Sequence, residues 1–245
     1  MNESQEPQRG IHRRDLIKGI TAASLGLAAG SIGIPDSVGQ SSVSSLPRRN
    51  LIQIENAKPG TPDWQLTKTR QLPGKINKIL NNGRCPWIEG YCSANSVRAG
   101  EKLRVMVSTN PVSDFKLEIF RTGYYNGDGA RLMKRFDSLK GKTQIDPPVG
   151  ENYVRDCNWD PSVEFEIPED WLSGVYLGKL TAEKENVQSY VIFIVRDDRP
   201  CDFLFQCSEL TWSAYNRWPA DYSIYTDHPG FDSKGVPSGT VSFNR

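Results

Sequence analysis

The chain has 245 residues, a formal net charge of +1 at pH 7 and an ordinary hydrophobic content of 37%. It is therefore long enough for one large or two modest globular domains. The charge balance shows neither the basic excess that suggests nucleic-acid binding nor an acidic tail.

The first 39 residues are typical of a targeting segment. A polar start leads to the paired arginines Arg13 and Arg14, which are followed by an uncharged run over residues 19–34 and a Ser-rich stretch. This order resembles a twin-arginine signal peptide. A transmembrane anchor needs about 20 strongly apolar residues, and this run is shorter and diluted by Gly, Ser and Thr. We expect this segment, residues 1–39, to act as a signal that is cleaved near Gly30 or near Gly39, and the protein to be exported, periplasmic or extracellular, with no membrane association afterwards.

Residues 40–87 are predicted to be an extended polar segment that contains a first strand. The candidate strand is Ile52–Asn56, where apolar and polar residues alternate. Pro and Gly then punctuate the segment as far as Trp64, a pattern that favours turns.

The chain has five cysteines, so at least one cannot pair within the chain. Cys201 and Cys207 would flank one strand and lie roughly 20 Å apart, beyond disulfide reach. Cys85 with Cys92 is the most plausible disulfide. A zinc ribbon is the competing interpretation, but no Cys-x2-Cys pair is present.

Strand patterns recur over residues 88–198, where apolar and polar residues alternate and turn signals separate the runs. No helical pattern interrupts them. Together they predict an antiparallel β-sandwich of immunoglobulin-like type. The predicted strands are Leu103–Val107, Phe115–Phe120, Val163–Ile167, Val175–Leu180 and Tyr190–Val195.

One hairpin of this domain, residues 121–131, carries two turn dipeptides, Asn-Gly and Asp-Gly. It is either a turn whose side chains have no binding role or a loop that presents side chains to a ligand or to the neighbouring domain. The side chains concerned would be Tyr124, Tyr125 and Arg131.

Residues 199–245 are predicted to begin an α/β domain. A charged linker with a proline leads to the apolar run Phe203–Phe205, which we expect to be a buried strand. Aromatic residues then recur at intervals of three or four. In open α/β folds ligands bind beyond the carboxyl ends of strands, so these aromatic residues are a candidate binding site. Packing in a core is the competing interpretation. The aromatic residues are Trp212, Tyr215, Trp218, Tyr222 and Tyr225.

Residues 211–218 and 223–225 resemble the T-W-x-A-Y-N-x-W-G-G-x-S-L-Y signature of the N,N-dimethylformamidase large (beta) subunit family. Here Pro219-Ala220 stands where the family more often has a glycine pair. Residues 121–131 resemble the family's R-x-G-Y-Y-x-G-x-G-A-R segment. Cys157-Asn158-Trp159 and residues 171–176 match further family features, so the resemblance extends over most of residues 52–245.

The resemblance implies a β-sandwich followed by an α/β domain similar to glutamine amidotransferases. It also implies a mononuclear iron site held by two tyrosines and a glutamate, and hydrolysis of N-substituted formamides to an amine and formate. Tyr215, the tyrosine of the A-Y-N core, would be one iron ligand. A small partner subunit or a homo-oligomer is a further implication. The pocket or ligand-supporting residues would be Trp212, Asn216, Trp218, Tyr222 and Tyr225.

The last residues, 241–245, resemble a family strand, V-S-F-x-R-P-Y, cut before its Pro-Tyr. The second tyrosine ligand and the glutamate are therefore expected beyond Arg245, and the chain as given is expected to be an incomplete and inactive hydrolase subunit. We leave the catalytic residues unassigned.

The histidine content limits the metal chemistry independently of any resemblance. Beyond the predicted signal only His228 remains, which excludes a three-His zinc site, an H-E-x-x-H helix and a two-His iron triad within this chain. Tyrosine and carboxylate ligands are hard oxygen donors that suit ferric iron as a Lewis acid.

Two other functions stay open at this point. The chain could be an exported, non-catalytic module whose sandwich binds carbohydrate or a partner protein through Tyr124 and Tyr125. It could also be a cysteine hydrolase with Cys207 as the nucleophile, although neither a nearby His nor a Gly-rich elbow accompanies that residue.

Overall fold

The computed structural model describes residues 51–72, 84–151, 154–216, 218–219 and 241–244, all within the unit Pro47–Arg245. In this part of the chain strands predominate. They are β1 (Glu89–Cys92), β2 (Ser96–Val97), β3 (Lys102–Ser108), β4 (Phe115–Thr122), β5 (Ala130–Leu139), β6 (Pro161–Glu166), β7 (Gly174–Ala182) and β8 (Val187–Val195).

The helices of the described residues are short. They are α1 (Leu51–Asn56), α2 (Glu209–Tyr215) and two 3-10 turns at Pro62–Trp64 and Tyr125–Gly127. None of these helices has the length and apolar character needed to cross a bilayer.

The strands form two sheets that pack face to face. The smaller has the order β1-β3-β6, and the larger has the order β2-β8-β7-β4-β5. All pairs are antiparallel except β2 with β8, which run parallel through Ser96–Ile194 and Val97–Val195. All five strands predicted from alternation are present at the expected positions, so the prediction of a mainly β fold with a sandwich is confirmed.

The core lies between the sheets because alternate residues of each strand point inward. Leu103, Val105 and Val107 of β3 face Leu117 and Ile119 of β4, all at most 1% exposed. Aromatic rings fill the remaining volume. Phe165 of β6, Trp171 of the β6–β7 loop, Tyr176 of β7 and Phe193 of β8 form a chain of neighbouring rings with centroids 4.9–6.5 Å apart.

Residues 61–68 form a strap across the outer face of the larger sheet. At one end the Thr61 amide donates to the carbonyl of Ala130 at 2.9 Å. At the other end the side-chain oxygen of Gln188 accepts from the amides of Thr67 and Lys68 at 2.9 and 3.2 Å. Between them the Tyr190 hydroxyl donates to the carbonyl of Trp64. The strap thereby fixes the direction of the Tyr190 side chain.

The predicted first strand at Ile52–Asn56 is wrong, because these residues lie in helix α1. A five-residue alternation fits a strand, but the helix places Glu55 and Asn56 together against the 121–131 hairpin. Glu55 is only 2% exposed there, and the side-chain oxygen of Asn56 accepts from the Tyr124 amide at 2.9 Å. Tertiary hydrogen bonds therefore override the local pattern.

The predicted Cys85–Cys92 disulfide is also absent, since both residues are thiols. Cys92 lies on β1 and packs into the inter-sheet core, while Cys85 precedes the turn that leads to β1. Burial raises the pKa of both thiols, that of Cys92 to about 12. They pack as small apolar side chains.

The predicted buried strand at Phe203–Phe205 is wrong as well. The three side chains are 93%, 88% and 83% exposed, and the segment has no regular secondary structure. A buried strand needs neighbouring strands at its edges and a layer on each face; among the described residues none pairs with this segment. The predicted α/β character of residues 199–245, and the domain boundaries proposed above, stay predictions.

Candidate functional site

Helix α2 lies over an edge of the sandwich, and the two together line a half-open cavity of about 470 Å³. Five residues of the helix and its C-cap line it, at positions 209, 212, 213, 215 and 216, and all of them except 215 follow the spacing of one helix face. The residues lining the cavity are Gly90, Tyr91, Cys92, Asn95, Tyr190, Val191, Ile192, Phe193, Ile194, Glu209, Trp212, Ser213, Tyr215, Asn216 and Phe243.

The sandwich supplies the floor of this cavity through β1 and β8. On β8, Tyr190, Ile192 and Ile194 alternate with core residues, so their side chains point away from the core toward the cavity. Ile192 is 40% exposed, which leaves an apolar surface at the floor.

The hydroxyls of two lining tyrosines are engaged with the backbone. Tyr91 donates to the carbonyl of Cys157 at 3.0 Å and accepts from the amide of Trp159 at 3.3 Å. Tyr190 donates to the carbonyl of Trp64 in the strap. Burial raises the pKa of both phenols. Their rings can therefore contact a ligand, whereas their oxygens are poor candidates for metal ligands.

Three of the site residues predicted from sequence come together here. Trp212, Tyr215 and Asn216 all line the cavity, and Tyr215 is 63% exposed at its edge. Tyr222 and Tyr225, also predicted for the pocket, lie outside the described residues.

Trp218, the sixth predicted residue, lines a smaller neighbouring cavity of about 140 Å³ that shares Gly90, Tyr91 and Asn216 with the first. Its indole nitrogen donates to the Glu89 carboxylate at 2.8 Å. Its ring packs edge-on against Trp159, with centroids 5.7 Å apart.

An ion-pair cluster of Arg84, Glu89 and Asp146 also contacts Trp218. Arg84 donates to Glu89 at 2.7 and 3.1 Å and to Asp146 at 2.6 and 2.7 Å, and its guanidinium lies 5.2 Å from the Trp218 ring centroid. Burial lowers the pKa of Arg84, but the hydrogen bonds to Asp146 and Glu89 outweigh burial and raise it above its ordinary value. Sequence reasoning missed Arg84, Glu89 and Asp146, because no motif marks the first two and Asp146 lies 62 residues beyond Arg84.

Residues 156–159 organise the same region. Besides the contacts of Cys157 and Trp159 with Tyr91, the Cys157 amide donates to the Asn244 carbonyl at 2.8 Å. The side-chain amide of Asn244 donates to Asp156 at 3.1 Å. This anchors residues 241–244 beside the cavity and accounts for Phe243 in its lining.

Glu209 is the one acidic residue among the described residues that line the cavity. One of its carboxylate oxygens is buried, and no described residue donates a hydrogen bond to it. Burial and the Glu209 charge raise the pKa of the half-buried Cys207. A thiol with a raised pKa is protonated at neutral pH and is a weak nucleophile, which argues against a cysteine hydrolase built on Cys207.

The 121–131 hairpin presents only one of its three predicted contact residues. Tyr124 is 69% exposed. Tyr125 is fully buried, accepts from Arg121 at 2.9 Å and donates to Glu55 at 3.1 Å. Arg131 donates to Glu55 at 2.7 Å. The expectation that Tyr125 contacts a ligand is therefore wrong, because Tyr125 and Arg131 dock helix α1 instead.

The donor chemistry of the cavity fits a hard cation in type. The phenol of Tyr215 and the carboxylate of Glu209 are oxygen donors of the kind that ferric iron prefers, and both line one cavity. Within the described part of the chain, no three His, Cys, Asp or Glu side chains lie close enough together to hold a metal ion. A complete ligand set would thus need donors in addition to these two.

Together, the fold and the site define a β-sandwich protein with an aromatic, oxygen-bearing cavity where helix α2 covers the edge of its sheets. Among curated proteins no significant match to the chain is found. A family model matches residues 116–245, just over half of the chain. The chain belongs to the N,N-dimethylformamidase beta subunit-like family, in the C-terminal region that this model describes.

Proposed function

We propose that the chain is part of an amidohydrolase subunit that hydrolyses a small N-substituted amide with the help of a mononuclear iron. Family membership supports the reaction class. The observation that carries the proposal is the common cavity of Trp212, Tyr215 and Asn216, the centre of the motif that carries the resemblance.

Tyr215 would hold the metal as a phenolate, and the ligand set would be completed by a second tyrosine and a glutamate that we do not assign. Iron supplies Lewis acidity, which polarises an amide carbonyl and favours deprotonation of water. The aromatic walls at Trp212 and Trp218 would exclude bulk water and so strengthen the electrostatic interactions inside the cavity. Glu89 and Arg84 would keep the Trp218 wall in place.

Replacing Tyr215 with phenylalanine tests the role of its phenol. We expect the whole subunit of which this chain is part to retain iron after dialysis, and its Tyr215→Phe variant to retain at least about tenfold less, because a ring without oxygen cannot replace a phenolate ligand. Iron per chain is measured by plasma emission spectrometry. Tyr124→Phe is the matched control, since Tyr124 is similarly exposed but lies on the hairpin. Equal iron in Tyr215→Phe and wild type would contradict the assignment.

Export and assembly are further parts of this proposal and rest on the sequence alone. Residues 1–39 would direct export through the twin-arginine pathway, and a small partner subunit or a homo-oligomer would complete the enzyme. Fractionation of cells that express the full chain measures export directly: a mature form in the exported fraction is expected, and retention of the full-length chain in the cytoplasm would contradict it.

A further inference from the structure

Strand β8 has an open edge between two segments of the chain that already bond to it. β7 borders one side of β8 along its whole length, whereas β2 reaches only Ile194 and Val195 on the other side. There the amide of Ile194 donates to the carbonyl of Asn95 at 2.9 Å, and near the start of the strand the amide of Gln188 donates to the carbonyl of Lys68 at 2.8 Å. The stretch between these two bonds, residues 190–193, lines the cavity under α2.

The direction of the backbone groups in this stretch follows from the ladder. In an antiparallel pair, residues alternate between those that bond to the partner strand and those whose N–H and C=O point away from it. Gln188 and Ile194 point away from β7, and β7 and β8 pair without a register shift, so Tyr190 and Ile192 point away as well. Among the described residues none bonds to these outward groups. Two N–H and two C=O groups are therefore free at the edge, beside the cavity.

The side chains give this edge none of the usual protection against strand pairing. Natural edge strands are blocked by charged residues, prolines or bulges. The edge strand β5, for example, carries Lys134 and Arg135 and has two register shifts against β4. Residues 190–193, in contrast, carry no charge and no proline and pair with β7 without a shift. Ile192 is 40% exposed, so the edge is also apolar.

We propose that an extended peptide segment of a partner protein adds to β8 at this edge, between Lys68 and Asn95. Backbone N–H and C=O groups in a row recognise another extended backbone, which is the interaction called strand addition. The open stretch is about 13 Å long, so it pairs with three or four residues of the segment.

The cavity also defines the side chains of such a partner. Tyr190 and Ile192 would pack against apolar side chains at alternate positions of the segment. Charged side chains are disfavoured there, because they would lose their hydration against this apolar surface. The inference goes beyond the proposed function, since a small amide fills only part of a cavity of about 470 Å³.

Hydrogen exchange of the whole subunit of which this chain is part, resolved to single amides by mass spectrometry, tests the inference. Without a peptide, the amides of Tyr190 and Ile192 should exchange fast, and those of Val191 and Phe193, which point to β7, should exchange slowly. The probe is an acetylated tetrapeptide methylamide of alternating valine and threonine. With about 10 mM probe and a dissociation constant of about 1 mM, exchange at Tyr190 and Ile192 should slow about tenfold.

Two controls separate ladder formation from other kinds of binding. The same probe with every amide N–H replaced by N–CH₃ keeps its side chains but cannot donate hydrogen bonds, so it should leave both amides unprotected. Ile192→Pro removes the outward N–H of residue 192 and keeps the ladder to β7, so the probe should no longer slow exchange at Tyr190. Ile192→Val keeps that N–H and should respond like wild type. Far-UV circular dichroism verifies the fold of each variant, and the methylated probe tests the inference on wild type even if Ile192→Pro does not fold.

The inference is overturned if Tyr190 and Ile192 are protected without the probe, because another segment of the subunit then occupies the edge. It is equally overturned if the probe slows neither amide, if the methylated probe slows both as well, or if Ile192→Pro responds like wild type. None of these measurements requires iron. The proposed function is decided separately, by the iron content of the Tyr215→Phe variant.

Discussion

Replacing Glu55 with alanine is expected to lower the free energy of unfolding by about 3–5 kcal/mol. The Glu55 side chain is 3% exposed and forms ion pairs with Arg131 at 2.5 Å and Lys58 at 2.7 Å. It also accepts from the Tyr125 hydroxyl at 3.1 Å, and that hydroxyl in turn accepts from buried Arg121. Truncation of Glu55 to alanine would remove the carboxylate that pairs with Arg131 and Lys58. Helix α1 would then lose these contacts with the hairpin.

Urea unfolding at pH 7 measures the effect, with Glu185→Ala as the control. Glu185 pairs with the exposed Arg70 at 3.3 Å, and such surface pairs contribute only about 0–1 kcal/mol. A loss below about 1 kcal/mol in Glu55→Ala would show that the network does not stabilise the fold.

The same network predicts a dependence on pH. Burial raises the pKa of the Glu55 carboxyl, but hydrogen bonds from Lys58 and Arg131 outweigh it and lower the pKa below its ordinary value of 4.5. The stabilisation is thus complete above the ordinary pKa and is lost as pH falls through the lowered pKa of the folded state. The difference in stability between wild type and Glu55→Gln should accordingly shrink in acid.

A cavity in the centre of the sandwich is expected to cost a similar amount. Leu117 on β4 is fully buried, so Leu117→Ala should lower the free energy of unfolding by about 2–5 kcal/mol. On the neighbouring strand, a side chain at Gly178 would lie 2.6 Å from Val191 Cγ2 and 2.9 Å from Leu117 Cδ1. Gly178→Ala should therefore cost about 1–3 kcal/mol through overpacking.

The double variant distinguishes these two causes. Removing the Leu117 methyl groups makes room beside residue 178, so the double variant should be less destabilised than the sum of the single variants. Thermal or urea unfolding of all four proteins gives the coupling energy. Strict additivity would contradict the packing described for β4 and β7.

The sandwich could be predicted because its strands carry their own signal. In runs such as Leu103–Val107 one face is buried and the other is not, and alternation records that difference directly. The errors at Ile52–Asn56 and Phe203–Phe205 have another origin. In each case the local pattern of a short, partly apolar run predicts a strand. The secondary structure that forms depends instead on partners distant in sequence: the hairpin for Ile52–Asn56 and neighbouring strands for Phe203–Phe205.

The site could be predicted only in part for the same reason. Helical spacing and the aromatic motif located Trp212, Tyr215 and Asn216 together, because these residues are local. The wall around Trp218 is built by Glu89, Arg84 and Trp159, which converge only when β1 and the 156–159 segment pack. Likewise, no sequence pattern distinguishes the buried Tyr125 from the exposed Tyr124 beside it.

In the function proposed above, this family member holds iron through the phenolate of Tyr215. The most direct test is the visible absorption spectrum of the whole wild-type subunit of which this chain is part, after loading with ferric iron and removal of the excess. We expect a tyrosinate-to-iron charge-transfer band that is lost in Tyr215→Phe and kept in Tyr124→Phe. A colourless wild-type protein, or a band that Tyr215→Phe retains, would contradict the claim.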